Sequence, residues 1–143
     1  MMHTAQALIA PAIGTYWEGQ GGIYRGLARG VGGKPDQHIV EAVERLDDDH
    51  RMDWKGCIAW AAGLNVDGHA DFTLPTRREA SLLFANRDKD CDGGWHWTSE
   101  AYDASFAWCC GFPDGGVISS RKSYVGRARA VRRFPVQSFN PSV

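Results

Sequence analysis

The segment GWHWTSEAYDASFAWCCGFPDGGVISSRK, Gly94–Lys122, decides the expected fold. In its opening residues, GWHWTS, large apolar Trp side chains alternate with small or polar residues, as they do in a β-strand. The apolar run FAWCCGF is then followed by PDGG and by a second run, VISSRK. Two runs joined by a Pro-Asp-Gly turn predict a β-hairpin. This part of the chain is therefore expected to form strands rather than helices.

Two helices are predicted before this segment. The first begins after Asp53, a capping residue, and ends at Gly63. Its apolar residues recur at helical spacing: Trp54, Cys57, Ile58, Ala61 and Leu64. The second is predicted over about 77–86, because Thr76 and Glu79 match a capping box. Its inward-facing side chains are expected to be Ala80, Leu83 and Phe84.

Further strands are predicted on both sides of the helices. GTYWEGQGGIYRGLARG at 14–30 indicates two short strands joined by a glycine-rich turn, and QHIVEAV at 37–43 indicates a third. ERLDDDHRMD at 44–53 is expected to be a charged loop. SYVGRARAVRRF at 123–134 predicts the last strand, whose alternation separates Arg127 and Arg129 from Ala128 and Ala130. The order of strands, two helices and strands predicts an α+β fold rather than a βαβ sheet.

The length of 143 residues favours one domain with a core of its own. Residues 1–12 are expected to form a flexible arm, 13–136 the single domain, and 137–143 an irregular tail. No apolar run is long enough to span a membrane. The early segment ALIAPAIG follows no basic region, so no signal peptide is expected. A cytoplasmic location, or membership of a particle assembled in the cytoplasm, is the resulting prediction.

Charge is unevenly distributed along the chain. Six of the 16 Lys and Arg residues lie after residue 118, where there is no acidic residue, so the first 118 residues carry the other 10 together with all 17 acids. The two regions could face and neutralise each other, or the basic end could bind an anionic partner. We favour pairing of these arginines with acids of the helices, or stacking on Trp rings. Nucleic acid is therefore an unlikely partner in this interpretation.

Asp88, Asp90, Asp92 and Gly93 have the spacing that begins an EF-hand calcium loop. Position twelve of such a loop would be Ser99, and Glu100 comes one residue too late for the bidentate ligand. The segment after Gly93 also has the pattern of a strand. A solvated acidic turn is the favoured interpretation, calcium stays the alternative, and no metal or other cofactor is predicted.

The four cysteines form no CxxC pair, which argues against a zinc site. Cys109 and Cys110 are adjacent, so in a strand they point to opposite faces, and small buried thiols are expected. Nucleophile-elbow, HExxH and phosphate-loop motifs do not occur. We therefore predict a protein that is not an enzyme and has no catalytic residue.

Four segments together resemble one bacterial and phage family: DFTLPTRREASLLFAN, GWHWTSE, FAWCCGFPDGG and RARAVRRF, within 54–134. The family is named after the C-terminal domain of a collagen-like adhesin. The resemblance implies a C-type-lectin-like fold, with twisted antiparallel sheets and two helices, and the function of a binding module. The chain differs from the family pattern at Phe72, usually Trp, and at Thr73, usually Arg.

The resemblance implies that a protein or glycan ligand, with host proteins among the candidates, is bound by loops and an exposed strand face. It also implies a location in the cytoplasm of a host cell or on a virion. The expected binding residues are His96, Ser99, Tyr102, Asp103, Ser105, Asp114, Arg121 and Lys122. Trp108, and one of Trp95 and Trp97, are expected in the core. The alternative is an intracellular phage protein that inhibits a host defence complex, either by protein–protein binding or by acidic mimicry of nucleic acid. Its candidate acidic patch is Glu41, Glu44 and Asp47–Asp49.

Overall fold

The computed structural model describes residues 8–88 and 93–136. Two helices lie between groups of strands in these residues, so the predicted α+β class is confirmed. The strands are β1 (Tyr16–Trp17), β2 (Gly22–Ala28), β3 (Gln37–Leu46), β4 (Trp95–Ala101), β5 (Phe106–Gly111), β6 (Val117–Arg121) and β7 (Ala128–Pro135). The helices are α1 (Trp54–Ala62) and α2 (Arg77–Ala85), and a short 3-10 helix covers Asp48–His50.

The strands form two antiparallel sheets. One has the order β1-β2-β3-β7 and the other the order β4-β5-β6. The sheets meet where the chain enters β7, because the backbone N–H of Trp97 donates to the carbonyl oxygen of Arg127 at 3.0 Å. The sequence-predicted hairpin is present as β5 and β6, with Cys109 opposite Ile118.

Local capping signals set the ends of both helices, as predicted. The Asp53 side chain accepts a hydrogen bond from the backbone N–H of Gly56, and α1 stops at Gly63. Thr76 and Glu79 form the reciprocal capping box of α2. Phe84 of α2 is only half-buried, unlike its neighbour Leu83.

Two predicted boundaries near these elements are wrong. The charged loop predicted from residue 44 begins later, because β3 continues to Leu46, which is buried opposite Ala128 of β7. The predicted last strand also starts later than residue 123, since β7 begins at Ala128. In both cases pairing between β3 and β7 decides the boundary, and this pairing joins residues that are 82 to 98 positions apart in the sequence.

Strand β5 separates two apolar clusters. Cys109 packs with Trp97 and Ala107 on one face, and Cys110 packs with Leu83 and Phe112 on the other. The adjacent cysteines therefore point to opposite faces, as predicted. The same division holds on β7, where Ala128 and Ala130 join the first cluster and Val131 the second. No helix of the described residues is long and apolar enough to cross a membrane.

Candidate functional site

A cluster of charged side chains, contributed by β2, β3 and β7, is largely buried against the four-stranded sheet. It accounts for one of the arginines in the basic C-terminal part of the chain. Glu41 on β3 is fully buried and accepts hydrogen bonds from Arg25 Nε at 2.8 Å, Arg129 Nη1 at 3.1 Å and Arg45 Nε at 3.1 Å. Arg25 and Arg129 are also buried. A buried charge needs partners of the opposite sign, and these residues supply them for one another.

Each arginine of the last strand region has an acidic partner from earlier in the chain. Arg127 pairs with Asp48, Arg132 Nε bonds to Asp71 at 2.9 Å, and Arg133 Nε bonds to Glu79 at 2.5 Å. Pairing was predicted, but only Glu79 lies on an α-helix. Ring stacking also occurs here, since the guanidinium groups of Arg129 and Arg132 lie over the rings of Phe112 and Phe134.

The first aspartate of the suspected calcium loop is already engaged. Both oxygens of Asp88 receive hydrogen bonds from Arg25, at 3.2 and 3.3 Å. These bonds hold the pKa of Asp88 below its ordinary value. Asp90 and Asp92 lie outside the described residues, and within 8–88 and 93–136 no three metal-binding side chains are grouped to hold an ion.

Two aromatic side chains lie where the sequence analysis did not place them. His96, expected on the exposed face, is only 2% exposed and packs on Phe112, with ring centroids 4.6 Å apart. Phe112 belongs to the buried cluster that includes Leu83 of α2, so His96 is enclosed on this side and cannot contact a ligand. Trp108, expected in the core, is half-buried at the surface, where its ring packs against Tyr102 and the guanidinium of Arg77.

The other predicted binding residues divide into two groups. Ser99 lines an open groove. Tyr102 and Arg121 are exposed, and the guanidinium of Arg121 is stacked over the Phe106 ring. The remaining four support turns: Asp103 accepts from the backbone N–H groups of Ser105 and Phe106, Asp114 accepts from that of Gly116, and Lys122 donates to the carbonyl oxygen of Ala104. Their binding role stays a prediction, and the turns already use much of their hydrogen-bonding capacity.

The groove has a volume of about 900 Å³. It lies at the first turns of α2, between the end of β2 on one side and β4 and β6 on the other. Its charged lining consists of Arg29, Arg77, Arg78, Arg133, Glu79 and Glu100. Ser99, Ser81 and Val117 complete parts of its wall. Positive charge therefore exceeds negative charge in the groove.

The two glutamates of the groove are paired with two of its arginines. Glu100 accepts from the backbone N–H of Arg77 at 2.6 Å and from its Nε at 3.2 Å. Burial opposes ionisation of Glu100, but the hydrogen bonds from Arg77 outweigh it and lower the pKa of Glu100. Glu79 accepts hydrogen bonds from the side chain of Arg133, from Nε at 2.5 Å and from Nη2 at 2.9 Å.

Arg29 and Arg78 are left without a carboxylate partner among the described residues. Both are exposed, and Arg78 Nη2 donates only to the backbone carbonyl oxygen of Arg29, at 3.0 Å. Both guanidinium groups retain donors for a ligand. This pair therefore accounts for the excess positive charge of the groove.

Sequence analysis missed Arg29, Arg77 and Arg78. One local signal was available, because Arg77 and Arg78 occupy the first turn of α2, where the helix dipole favours acidic rather than basic residues. Because basic residues do not stabilise a helix at its first turn, these two arginines are expected to have another role. Arg29 carries no such signal, since only the packing of α2 on β2 brings it to Arg78.

Comparison with known proteins adds no family to this description. The chain matches no protein-family model, and no curated protein is significantly similar to it. The resemblance to the adhesin-like family thus remains a prediction from the four sequence segments.

Proposed function

We propose that this protein is a non-catalytic binding domain that recognises a protein or glycan through the groove and the adjoining face of the β4-β5-β6 sheet. The observation that carries the proposal is the pair Arg29 and Arg78, which lines an open groove without a carboxylate partner among the described residues. Arginines with free donors suit recognition of a ligand that carries anionic or carbonyl oxygens.

Aromatic side chains beside the groove support the same proposal. Tyr102 is 59% exposed and packs edge-on against Trp108, with ring centroids 5.1 Å apart. The guanidinium of Arg77 lies over the Trp108 ring at 4.6 Å. Tyr, Trp and Arg are enriched among the residues that contribute most to binding. Tyr and Trp give large contact areas at low entropic cost, and Arg adds several hydrogen-bond donors.

The C-type-lectin-like architecture and an origin in a phage or prophage belong to this proposal. Two antiparallel sheets with two helices are compatible with that architecture, and the four family-like segments occur in the expected order. A site in the host cytoplasm or on a virion is part of the same hypothesis.

Acidic mimicry of nucleic acid has no comparable support. Glu41, part of the patch expected for it, is buried among three arginines and cannot face a partner. Asp48 is paired with Arg127, and Asp47 bonds to His50 at 2.7 Å. The remaining acids do not form the continuous patch that mimicry requires.

The proposal is tested with a glycan array and a displayed peptide library, each probed with three forms of the full chain. These are the natural protein, the double variant Arg29→Glu/Arg78→Glu, and a control, Lys55→Glu, which changes charge on the exposed side of α1. We expect ligands that bind the natural protein and Lys55→Glu but not the double variant. Retention of every ligand by a folded double variant, or no ligand in either screen, would refute the proposal.

A further inference from the structure

We infer that the ligand of this groove is an extended acidic peptide that carries an apolar side chain and lies along the free edge of β6. The inference rests on the proposed function and narrows its ligand from protein or glycan to peptide. Three separate properties of the surface support it: charge, an apolar hollow and exposed backbone groups.

The charge of the groove selects an acidic ligand. Arg77 and Arg133 are satisfied by Glu100 and Glu79, so the net positive charge comes from Arg29 and Arg78. Two carboxylates of a ligand would neutralise these two guanidinium groups. Glu100 already shows how a carboxylate binds here, since it accepts from both the backbone and the side chain of Arg77.

A second hollow of about 360 Å³ adjoins the groove and is apolar at its far end. It shares Arg29 and Arg78 with the groove and is closed by Leu27 and Leu82. Leu27 is 49% exposed, so a large apolar side chain faces solvent beside two arginines. An acidic glycan would satisfy the arginines and leave this hollow empty, whereas a peptide with a Leu, Ile or Phe side chain would fill both.

The backbone of β6 is open on the side away from β5. Hydrogen bonds from Gly111 N to Gly116 O at 2.7 Å, and from Lys122 N to Ser105 O at 2.8 Å, fix which residues of the hairpin are bonded pairs. Val117 and Ser119 lie between these pairs, so their N–H and C=O groups point outward. No strand lies beyond β6 in the described residues.

The free part of this edge is limited, and it ends at the groove. Near residue 122 the edge is covered, because Trp54 N–H donates to the carbonyl oxygen of Lys122 at 3.1 Å. At the other end Val117 lines the groove itself. A path therefore runs from the open backbone at Val117, past Arg29 and Arg78, to Leu27. Backbone pairing at an edge together with side-chain pockets is a recurring mode of peptide recognition.

The test uses a synthetic library of ten-residue peptides with blocked ends, each containing two Asp or Glu residues and one Leu, Ile or Phe at varied spacing. Matched peptides carry Asn or Gln in place of the acids, and polygalacturonate represents acidic glycans. Binding is measured by fluorescence polarisation or calorimetry at two salt concentrations. We expect acidic peptides to bind more weakly at higher salt, and their amide counterparts to lose roughly tenfold or more in affinity.

Variants and modified peptides then assign the contacts. Arg29→Gln and Arg78→Gln should each lower affinity for the acidic peptides roughly tenfold. Leu27→Ser should weaken binding of these peptides but not of counterparts with Ala in place of the apolar residue, and Lys55→Gln should change nothing. N-methylation of one backbone position should abolish edge pairing, and methylation of the next position should be tolerated.

The outcomes distinguish failure of the peptide inference from failure of the proposed binding function. Arginine-dependent binding of polygalacturonate without binding of any acidic peptide overturns the peptide inference and leaves the binding function in place. Equal affinity for acidic and amide peptides also overturns it. Failure of peptides and polygalacturonate, combined with empty array and display screens, overturns both.

Discussion

Glu41 is the residue whose removal the structure makes most costly. Its two carboxylate oxygens are shared by Arg25, Arg45 and Arg129, and neither it nor Arg25 and Arg129 can reach water. Replacing Glu41 by Gln keeps the shape and removes the charge that three guanidinium groups share. Removing one partner of a buried ion pair costs about 3–5 kcal/mol, because the other partner stays buried without compensation.

We therefore expect Glu41→Gln to lower the free energy of unfolding by about 3 kcal/mol or more, as measured by urea denaturation. The matched control is Glu44→Gln on the same strand, whose side chain is exposed. Surface substitutions of this kind usually change stability by less than about 0.5 kcal/mol. Similar losses in the two variants would show that the buried cluster contributes nothing particular.

Glu100 leads to a prediction about pH. Its pKa is lower in the folded protein than in the unfolded chain, because Arg77 outweighs the opposing effect of burial. The carboxylate thus stabilises the fold above its unfolded pKa of about 4.3, and this contribution is lost as pH falls through the lower folded value. Glu100→Gln should be less stable than the natural protein at pH 7, with the difference shrinking towards pH 3.

The measurement is a series of urea titrations from pH 7 to pH 3 on both proteins. Glu44→Gln again serves as control, and its small difference from the natural protein should not follow this pH course. A gap between Glu100→Gln and the natural protein that stays constant with pH would contradict the assigned ion pair.

At the scale of the elements, β2 depends on a glycine at the point of closest approach to β3. A Cβ atom on Gly22 would lie 2.0 Å from the carbonyl oxygen of Glu41, which is backbone and cannot move aside without breaking the strand pair. Gly22→Ala should therefore destabilise the protein by about 2–3 kcal/mol or more in thermal or urea unfolding. Gly93→Ala is the control, since its added Cβ would make only ordinary contact with Pro113, at 3.6 Å. A Gly22→Ala protein as stable as Gly93→Ala would contradict the tight pairing of β2 and β3.

The elements also show what the sequence can and cannot predict. The capping signals of Asp53 and Thr76 act within three residues, so the helix starts could be predicted from a short window. The burial of His96 could not, because it results from packing on Phe112, which lies in the same cluster as Leu83 of α2, and alternation alone does not reveal which face is covered. Similarly, Arg29 joins Arg78 only through an arrangement of elements distant in sequence, so the groove has no signature in any single segment.

At the scale of the whole molecule, the two sheets are joined by the segment that leads into β7, because this segment is bonded to β4 and continues into a strand of the other sheet. Strand β7 pairs with β3 along its length, while Arg127, just before it, forms a bridge to β4. Helix α2 also packs against both sheets, through Ala80 and Leu83 in a cluster that includes Ile39 of β3 and Cys110 of β5. These connections make a single cooperative unit the expected behaviour.

The buried thiols test this cooperativity. Cys57 and Cys109 lie in one apolar cluster and Cys110 in the other, all fully buried, and burial raises the pKa of Cys57 to about 12. Because only an accessible thiolate reacts, each thiol should be labelled by an alkylating reagent only when its surroundings open. In a Cys91→Ser background, which leaves these three thiols, we expect all three to be labelled at the same slow rate, measured by mass spectrometry of digested samples. A global opening exposes both clusters together, and faster labelling of Cys110 than of Cys57 would mean that the cluster beneath α2 opens before the molecule unfolds.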